Sequence, residues 1–420
     1  MKQEEVYEQV KERLMSYARI DTQSAEYTGH WPTTEKQKDL ARVLKDELIS
    51  IGVSDVFLDE EGCVVYGKVP SNVQDTQVMP IGFIAHIDTA PDASGTNVKP
   101  WVLENYDGGD IVLNKEKNIV MKASDYSNLK MYIGQDLILT DGTTLLGGDD
   151  KASIAAIMSF AQYLVDHGDV KHGDICIAFT PDEEVGGLAR DLDFDRFGAK
   201  VAYTLDGDHL GWYEDETFNA SEAVFEFTGR SVHTGTAKGI MVNAVDMAAE
   251  LMAMLPKKEK PQYTEGVEGF YHLISCESDC EHARVRLLVR DFDHDNFKKR
   301  EEFLKECAEK LGADYGDDRV KLTIIHQYSN MKEVLKDVPF MIDILKGAIR
   351  KAGIEPVCEP FRGGTDGAAL SFRGLPCPNL SAGYENAHGR FEYVPIQSMV
   401  KNVEILLNIC ESALAIADNA

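Results

Sequence analysis

Three short stretches of this chain are almost wholly apolar and run directly into acidic or imidazole side chains. PIGFIA (80–85) runs into His86-Ile87-Asp88, ICIAFT (175–180) into Pro181-Asp182-Glu183-Glu184, and VAYTL (201–205) into Asp206. A run of five or six apolar residues without alternation is the pattern of a strand covered on both faces, so helices must lie above and below the sheet. Helical periods supply them. Val6, Val10 and Leu14 share one face of a charged N-terminal segment, and Leu40, Leu44 and Leu48 share another. For the latter, Thr34 to Gln37 reads as a capping box and Gly52 as the stop. Ile154, Ile157, Met158, Ala161, Leu164 and Val165 repeat at helical spacing, which starts a third helix just after Asp149-Asp150.

From about Ser221 the pattern changes. AVFEF (223–227), a helix from about Asn243 to Leu255, YHLISC (271–276), RVRLLV (284–289), a helix from about Asn296 to Leu311, and VKLTII (320–325) follow in order. That order is β-α-β-β-α-β, the arrangement of small ferredoxin-like domains. A chain of 420 residues exceeds one ordinary core. The expected class is α/β, with a mixed-sheet main domain carrying helices on both faces, built from 1–218 and 328–420. A smaller βαββαβ lid is inserted at 219–327. A last long helix begins near Pro395.

Composition excludes several partners. With 71 acidic against 43 basic residues, the net charge is −28, and neither nucleic acid nor an anionic membrane surface is attracted to such a chain. No segment reads as a signal peptide or a membrane span. The eight cysteines stand singly apart from Cys276 and Cys280, which suits reduced thiols in the cytoplasm.

In open α/β sheets ligands gather outside the carboxyl ends of strands. His86, Asp206 and the Glu183-Glu184 pair stand at such ends, Asp149 stands at a helix start, and His388 follows the short apolar stretch PNLSAG. Taken singly, each has an ordinary reading: a solvated acidic face, a helix cap, a surface histidine. Together, two imidazoles and three carboxylates form a donor set for two zinc, cobalt or manganese ions. Of Glu183 and Glu184, one serves the metal and one takes a proton from a water the ions share. Asp88 is spaced to hold the second ring nitrogen of His86. His272, Cys276, Cys280 and His282 are also zinc-type residues, but they sit on and between predicted lid strands whose side chains alternate.

The longer stretches GFIAHIDTAPDASG (82–95), TLLGGDDKA (144–152), FTPDEEVG (179–186), HTGTAKGIMVNA (233–244), EGFYHL (268–273) and FRGGTDGAALSF (361–372) resemble the peptidase T family, the tripeptide-aminopeptidase branch of the two-zinc peptidases. The resemblance runs from end to end. It implies that Asp149 bridges two metal ions, with a cis peptide to Asp150; that His86 and Asp206 complete one site and Glu184 and His388 the other; and that Glu183 is the general base and Asp88 the partner of His86. It further implies that His233 of the lid stabilises the oxyanion, either within its own chain or across a homodimer. Arg290, Arg362, Asn243 and the loop Gly363-Gly364-Thr365 are the implied substrate contacts. The implied activity is removal of the N-terminal residue from short peptides with a free N-terminus, tripeptides above all, by a zinc-bound hydroxide. A dipeptidase or N-deacylase on the same scaffold, or an inactive peptide-binding relative, are the rival readings. Two departures stand out: Thr234 replaces the usual proline after His233, and Gly148 replaces the usual alanine before Asp149.

Overall fold

The computed structural model describes residues 1–74 and 78–417. The chain divides into two compact units. One comprises Met1–Asp215, Glu333–Glu359 and the chain from Thr365 on; the other comprises Glu216–Lys332 and Pro360–Gly364. The second unit therefore begins and ends a few residues outside 219–327 and also gathers 360–364, a stretch that sequence reading leaves with the main domain.

The first unit is built on an eight-stranded mixed sheet. Its strands lie in the order Ser54–Asp59, Val64–Val69, Ile175–Thr180, Ile81–His86, Val201–Leu205, Asn379–Leu380, Trp212–Glu214 and Val357–Cys358. Ile81–His86 pairs in parallel with both Ile175–Thr180 and Val201–Leu205, and all three are buried along their whole length. Their alternate residues feed two different cores. Phe83, Ala85, Ile177, Phe179, Val201 and Tyr203 join the core containing Val6, Leu44, Phe160 and Leu406, while Ile84, Cys176, Ala178 and Ala202 join a smaller one with Phe197 and Leu370. Cys176, Ala178 and Ala202 leave room on that face for Phe197, which lies close against the sheet. A Cβ at Gly82 would overlap its ring, which is why glycine interrupts an otherwise bulky strand.

Helix Gln3–Tyr17 buries Val6, Val10 and Leu14. Helix Gln37–Ile51 buries Leu40, Leu44 and Leu48 and stops at Gly52, whose φ of 93° is left-handed. Its start corrects the expected capping box. Lys36 precedes the first turn without a side-chain cap, the Thr34 hydroxyl donates to the Gln23 carbonyl, and Gln37 turns inward to Asp182. Burying the Gln37 amide requires a partner, and a carboxylate on another loop supplies it. Sequence periodicity also gave nothing for 97–143. Four strands of three or four residues lie there, over a core of Tyr106, Leu113, Met121 and Tyr132. Such strands are too short for a period to register.

The second unit has one antiparallel sheet, ordered Phe270–Ser278, His282–Asp291, Asn219–Thr228, Val320–Tyr328. Helices Ala244–Met254 and His294–Tyr315 complete the βαββαβ order and bury Leu251, Phe297 and Leu304 against Phe225, Val285 and Leu287. Asn243 and Asp293 cap the two helices.

Phe83 sits at the centre of the larger core, its ring 5.3 Å from Phe160 in an edge-on pair and 6.1 Å from Tyr203 in a stack. Phe83→Ala is expected to cost about 3–5 kcal/mol, read as a lowered denaturant midpoint. A loss under about 1 kcal/mol would mean that the core does not rest on this ring.

Candidate metal centre

His86 is the last residue of its strand and lies in register with Thr180, the last residue of the next. The two loops that leave these strands are therefore neighbours from their first residue. Buried acids fix their course. The Asp182 carboxylate accepts from the Thr33 amide at 2.8 Å, from the Thr33 hydroxyl, and from the Gln37 amide nitrogen at 2.6 Å. The Asp88 carboxylate accepts from the backbone N–H groups of Glu183 at 3.0 Å and Glu184 at 3.3 Å, and one of its oxygens lies 3.3 Å from His86 Nδ1. Asp88 thus orients both the imidazole and the adjacent glutamates.

Asp149 and Asp150 depart from helical geometry at the start of Gly148–Asp166, and the peptide between them is cis. Glu392 holds this turn, accepting from the N–H groups of Leu146 and Gly147 at 2.8 Å and of Asp149 at 2.9 Å. The carboxylate of Asp149 faces two imidazoles. Its Oδ1 is 2.9 Å from His86 Nε2, and its Oδ2 is 3.2 Å from His388 Nε2. His388 Nε2 also lies 2.8 Å from Glu184 Oε2. Asp206 is oriented by Tyr384, whose hydroxyl donates to its Oδ1 at 2.7 Å.

Three sets of donor atoms lie within 4.8 Å of one another: His86, Asp149 and Glu184; His86, Glu183 and Asp206; Asp149, Asp150 and Asp206. All three belong to one centre, and His388, which is in none of them, stands at its edge within 3.2 Å of Asp149 and 2.8 Å of Glu184. His272, Cys276, Cys280 and His282 are in none of the three sets. The residues fit divalent cations. The donors are nitrogen and oxygen atoms in borderline-metal proportions, and Glu184 Oε1 and Asp150 Oδ1 are buried with no hydrogen-bond partner, a condition rarely left standing without a ligand.

Electrostatics point the same way. Burial and the neighbouring Asp149 push Glu184 up to about 8 and Asp206 up to about 6. Burial and Asp206 push Glu183 well above the usual carboxylate range. Asp149 goes the other way: despite burial, its two histidines hold it below that range. Hydrogen bonds to Asp149 and Glu184 raise His388 to about 11. Like charges gathered in a dry site resist ionisation until cations enter.

The remaining expected site residues are placed as follows. His233 is exposed, its Nδ1 accepting from the Gly235 N–H, and Asn243 caps a helix through the Val245 N–H. Arg290 is buried against Ser221 and Val289 carbonyls, Gln327 and the Tyr328 ring. Arg362 donates to the Gly266 and Glu268 carbonyls and the Thr264 hydroxyl, over the rings of Phe218 and Phe270. Gly363 and Gly364 belong to the same second unit. Thr365 lies in the first, capping helix Asp366–Phe372. Sequence reading gave no role to Glu392, Tyr384 or Asp182. Their partners are remote in the chain, and no spacing rule links them.

The family model described as peptidase family M20/M25/M40 matches residues 147–412. Peptidase T of Clostridium botulinum (strain 657 / Type Ba4) is 50% identical over 402 residues, 96% of this chain and 98% of its own length. The crystal structure of aminopeptidase PepT from Bacillus cereus superposes with a TM-score of 0.77 at 22% identity, covering 97% of this chain and 99% of that one. A Bacillus subtilis protein described as a dinuclear metal binding peptidase from the M20 family superposes with a TM-score of 0.67 at 13% identity, covering 99% of each chain.

A carboxyl whose pKa folding raises stabilises the fold while protonated. That contribution is complete below the ordinary value, 3.8 for Asp206 and 4.5 for Glu184, and is lost as pH rises through about 6 and about 8. His388, also raised, acts in the same sense at higher pH. The Tm of chelator-treated protein should therefore fall between about pH 5 and about pH 8.5, and saturating divalent cation should remove the decline. A flat or rising profile in the stripped protein would contradict the crowded-acid account.

Proposed function

Because the chain belongs to peptidase family M20/M25/M40, in its peptidase T branch, we propose that it removes the N-terminal residue from tripeptides and other short peptides, using two zinc ions held by His86, Asp149, Glu184, Asp206 and His388. It is a metal-dependent aminopeptidase. The observation that carries the site assignment is the position of Asp149, with one carboxylate oxygen on each imidazole. In this reading Asp149 is shared, His86 and Asp206 serve one ion, and Glu184 and His388 serve the other.

Bound there, two ions would supply Lewis acidity and make the attacking water easier to deprotonate. The chain's own groups do the rest. Glu183, beside His86 and Asp206 and anchored through its backbone by Asp88, takes a proton from the attacking water and delivers it to the leaving amine nitrogen as the C–N bond breaks. Asp88 keeps His86 Nδ1 protonated and Nε2 turned to the metal. His233 of the second unit supports charge on the carbonyl oxygen, and Arg290, Arg362, Asn243, Gly363, Gly364 and Thr365 contribute to the peptide-binding surface. Cobalt and manganese are functional substitutes for zinc. Eight unpaired cysteines, a charge of −28 and the absence, among the described residues, of a helix long and apolar enough to cross a membrane fit a cytoplasmic enzyme.

Glu183→Gln is expected to retain both ions while lowering kcat about 10²- to 10⁴-fold; near-normal turnover would remove Glu183 from the role of base. A tripeptide with a free N-terminus should be cleaved after its first residue, and the same tripeptide N-acetylated should not. Cleavage of the acetylated form at a comparable rate would favour an N-deacylase instead.

A further inference from the structure

Asp206 and His388 stand on different loops, and in the reading above they serve different ions. Neither loop is regular. His388 has a φ of 61° and Asn386 one of 58°, left-handed values that non-glycine residues keep only where their surroundings impose them. The His388 side chain is 46% exposed and contacts Asp149 and Glu184, with Asp92 3.7 Å away. Its placement has to come from elsewhere in the loop.

Three residues before His388, Glu385 is 1% exposed, yet donors occupy both of its oxygens. His209 Nδ1 is 2.6 Å from Oε1, the Tyr132 hydroxyl donates to the same oxygen, and Asn128 Nδ2 donates to Oε2 at 2.6 Å. Tyr132 and Asn128 come from one short helical turn, Ser127–Tyr132, and Asn128 also reaches Asn386 Oδ1 at 3.1 Å. The Glu385 backbone is bonded in both directions to Tyr393. His209 is three residues beyond Asp206, and its ring stands edge-on to Trp212 at 4.5 Å. The backbone repeats the link: Ala382 and Gly383 donate to the Gly207 and Asp208 carbonyls, and the Ser381 hydroxyl reaches the Asp208 and His209 carbonyls. A buried carboxylate is tolerated only when paired and hydrogen-bonded, and removing one partner leaves it uncompensated. The His209–Glu385 pair therefore resists being pulled apart.

We propose that His209 and Glu385 are positioning residues that clamp the Asp206 loop to the His388 loop, so that the chain itself sets the second cation subsite, His388 with Glu184, before any ion enters. The clamp rests on the two-ion reading of the centre. It touches neither ion, and it acts through the backbone three residues from each ligand. Tyr384 makes the companion contact, directly to Asp206, so successive residues of one segment steady both sides of the centre.

Titration of the metal-stripped full-length protein with Zn²⁺ in a calorimeter tests this. Wild type should take up two ions. His209→Leu should bind the first as wild type does and the second about 10- to 100-fold more weakly, with kcat recovering at saturating zinc. His209→Asn, whose side-chain amide can still donate to Glu385, should restore the second affinity, and Glu385→Gln should behave like His209→Leu. The partly exposed His209 makes loss of folding avoidable, and the undiminished first ion reports an intact centre. If His209→Leu binds both ions as wild type does, or if His209→Asn fails as badly as His209→Leu, the clamp is wrong and the two-ion reading stands. Wild type taking up fewer than two ions would instead overturn that reading, and the clamp with it.

Discussion

One buried carboxylate, that of Asp149, meets two imidazoles at once, and the rest of the first unit is arranged to make that meeting happen. Left alone, such a group of acids and histidines would be driven apart by burial and like charge. It is held by partners that do not belong to it. Glu392 fixes the turn on which Asp149 rides, Asp88 fixes His86 and the glutamates, and Asp182 fixes the glutamate loop to residues 33 and 37. Each is a carboxylate accepting backbone or side-chain N–H groups, and each is almost wholly buried. The unit thus spends a second layer of acids on placing the first.

The sheet explains why the arrangement can be rigid. His86 and Asp206 leave parallel neighbours whose two faces pack into separate cores, so the strand ends cannot shift without disturbing both. Phe197 lying against Gly82 is the sharpest instance: the strand that delivers His86 carries no side chain where the ring passes. Function-bearing loops on a scaffold locked from both sides are the usual solution for chemistry that needs fixed distances.

Much of this was legible in the sequence because burial on both faces leaves an unmistakable trace. PIGFIA, ICIAFT and VAYTL are almost wholly apolar, and the residues that follow them are the ones the structure gathers. The segments AVFEF, YHLISC, RVRLLV and VKLTII marked the strands of the second sheet equally well. What was hidden follows from the range of the interactions concerned. Thr34 and Gln37 have capping-box spacing, but a carboxylate far along the chain claims Gln37. Glu392, Tyr384 and Glu385 sit in one short segment with no periodicity, and their partners at 146–149, 206 and 209 become visible only once the loops are folded together. The partners of Arg362 were equally hidden: it lies over two rings and donates to three oxygen acceptors of its own unit, at 264, 266 and 268, about a hundred residues away in the chain.

The account stands or falls on whether Asp149 is shared between two cations. Anomalous diffraction from crystals grown with zinc, recorded on both sides of the absorption edge, addresses it directly. Two peaks about 3.5–4 Å apart, one against His86 and Asp206 and the other against Glu184 and His388, with Asp149 between them, are the expected result. A single peak, or ions bound away from Asp149, would contradict it.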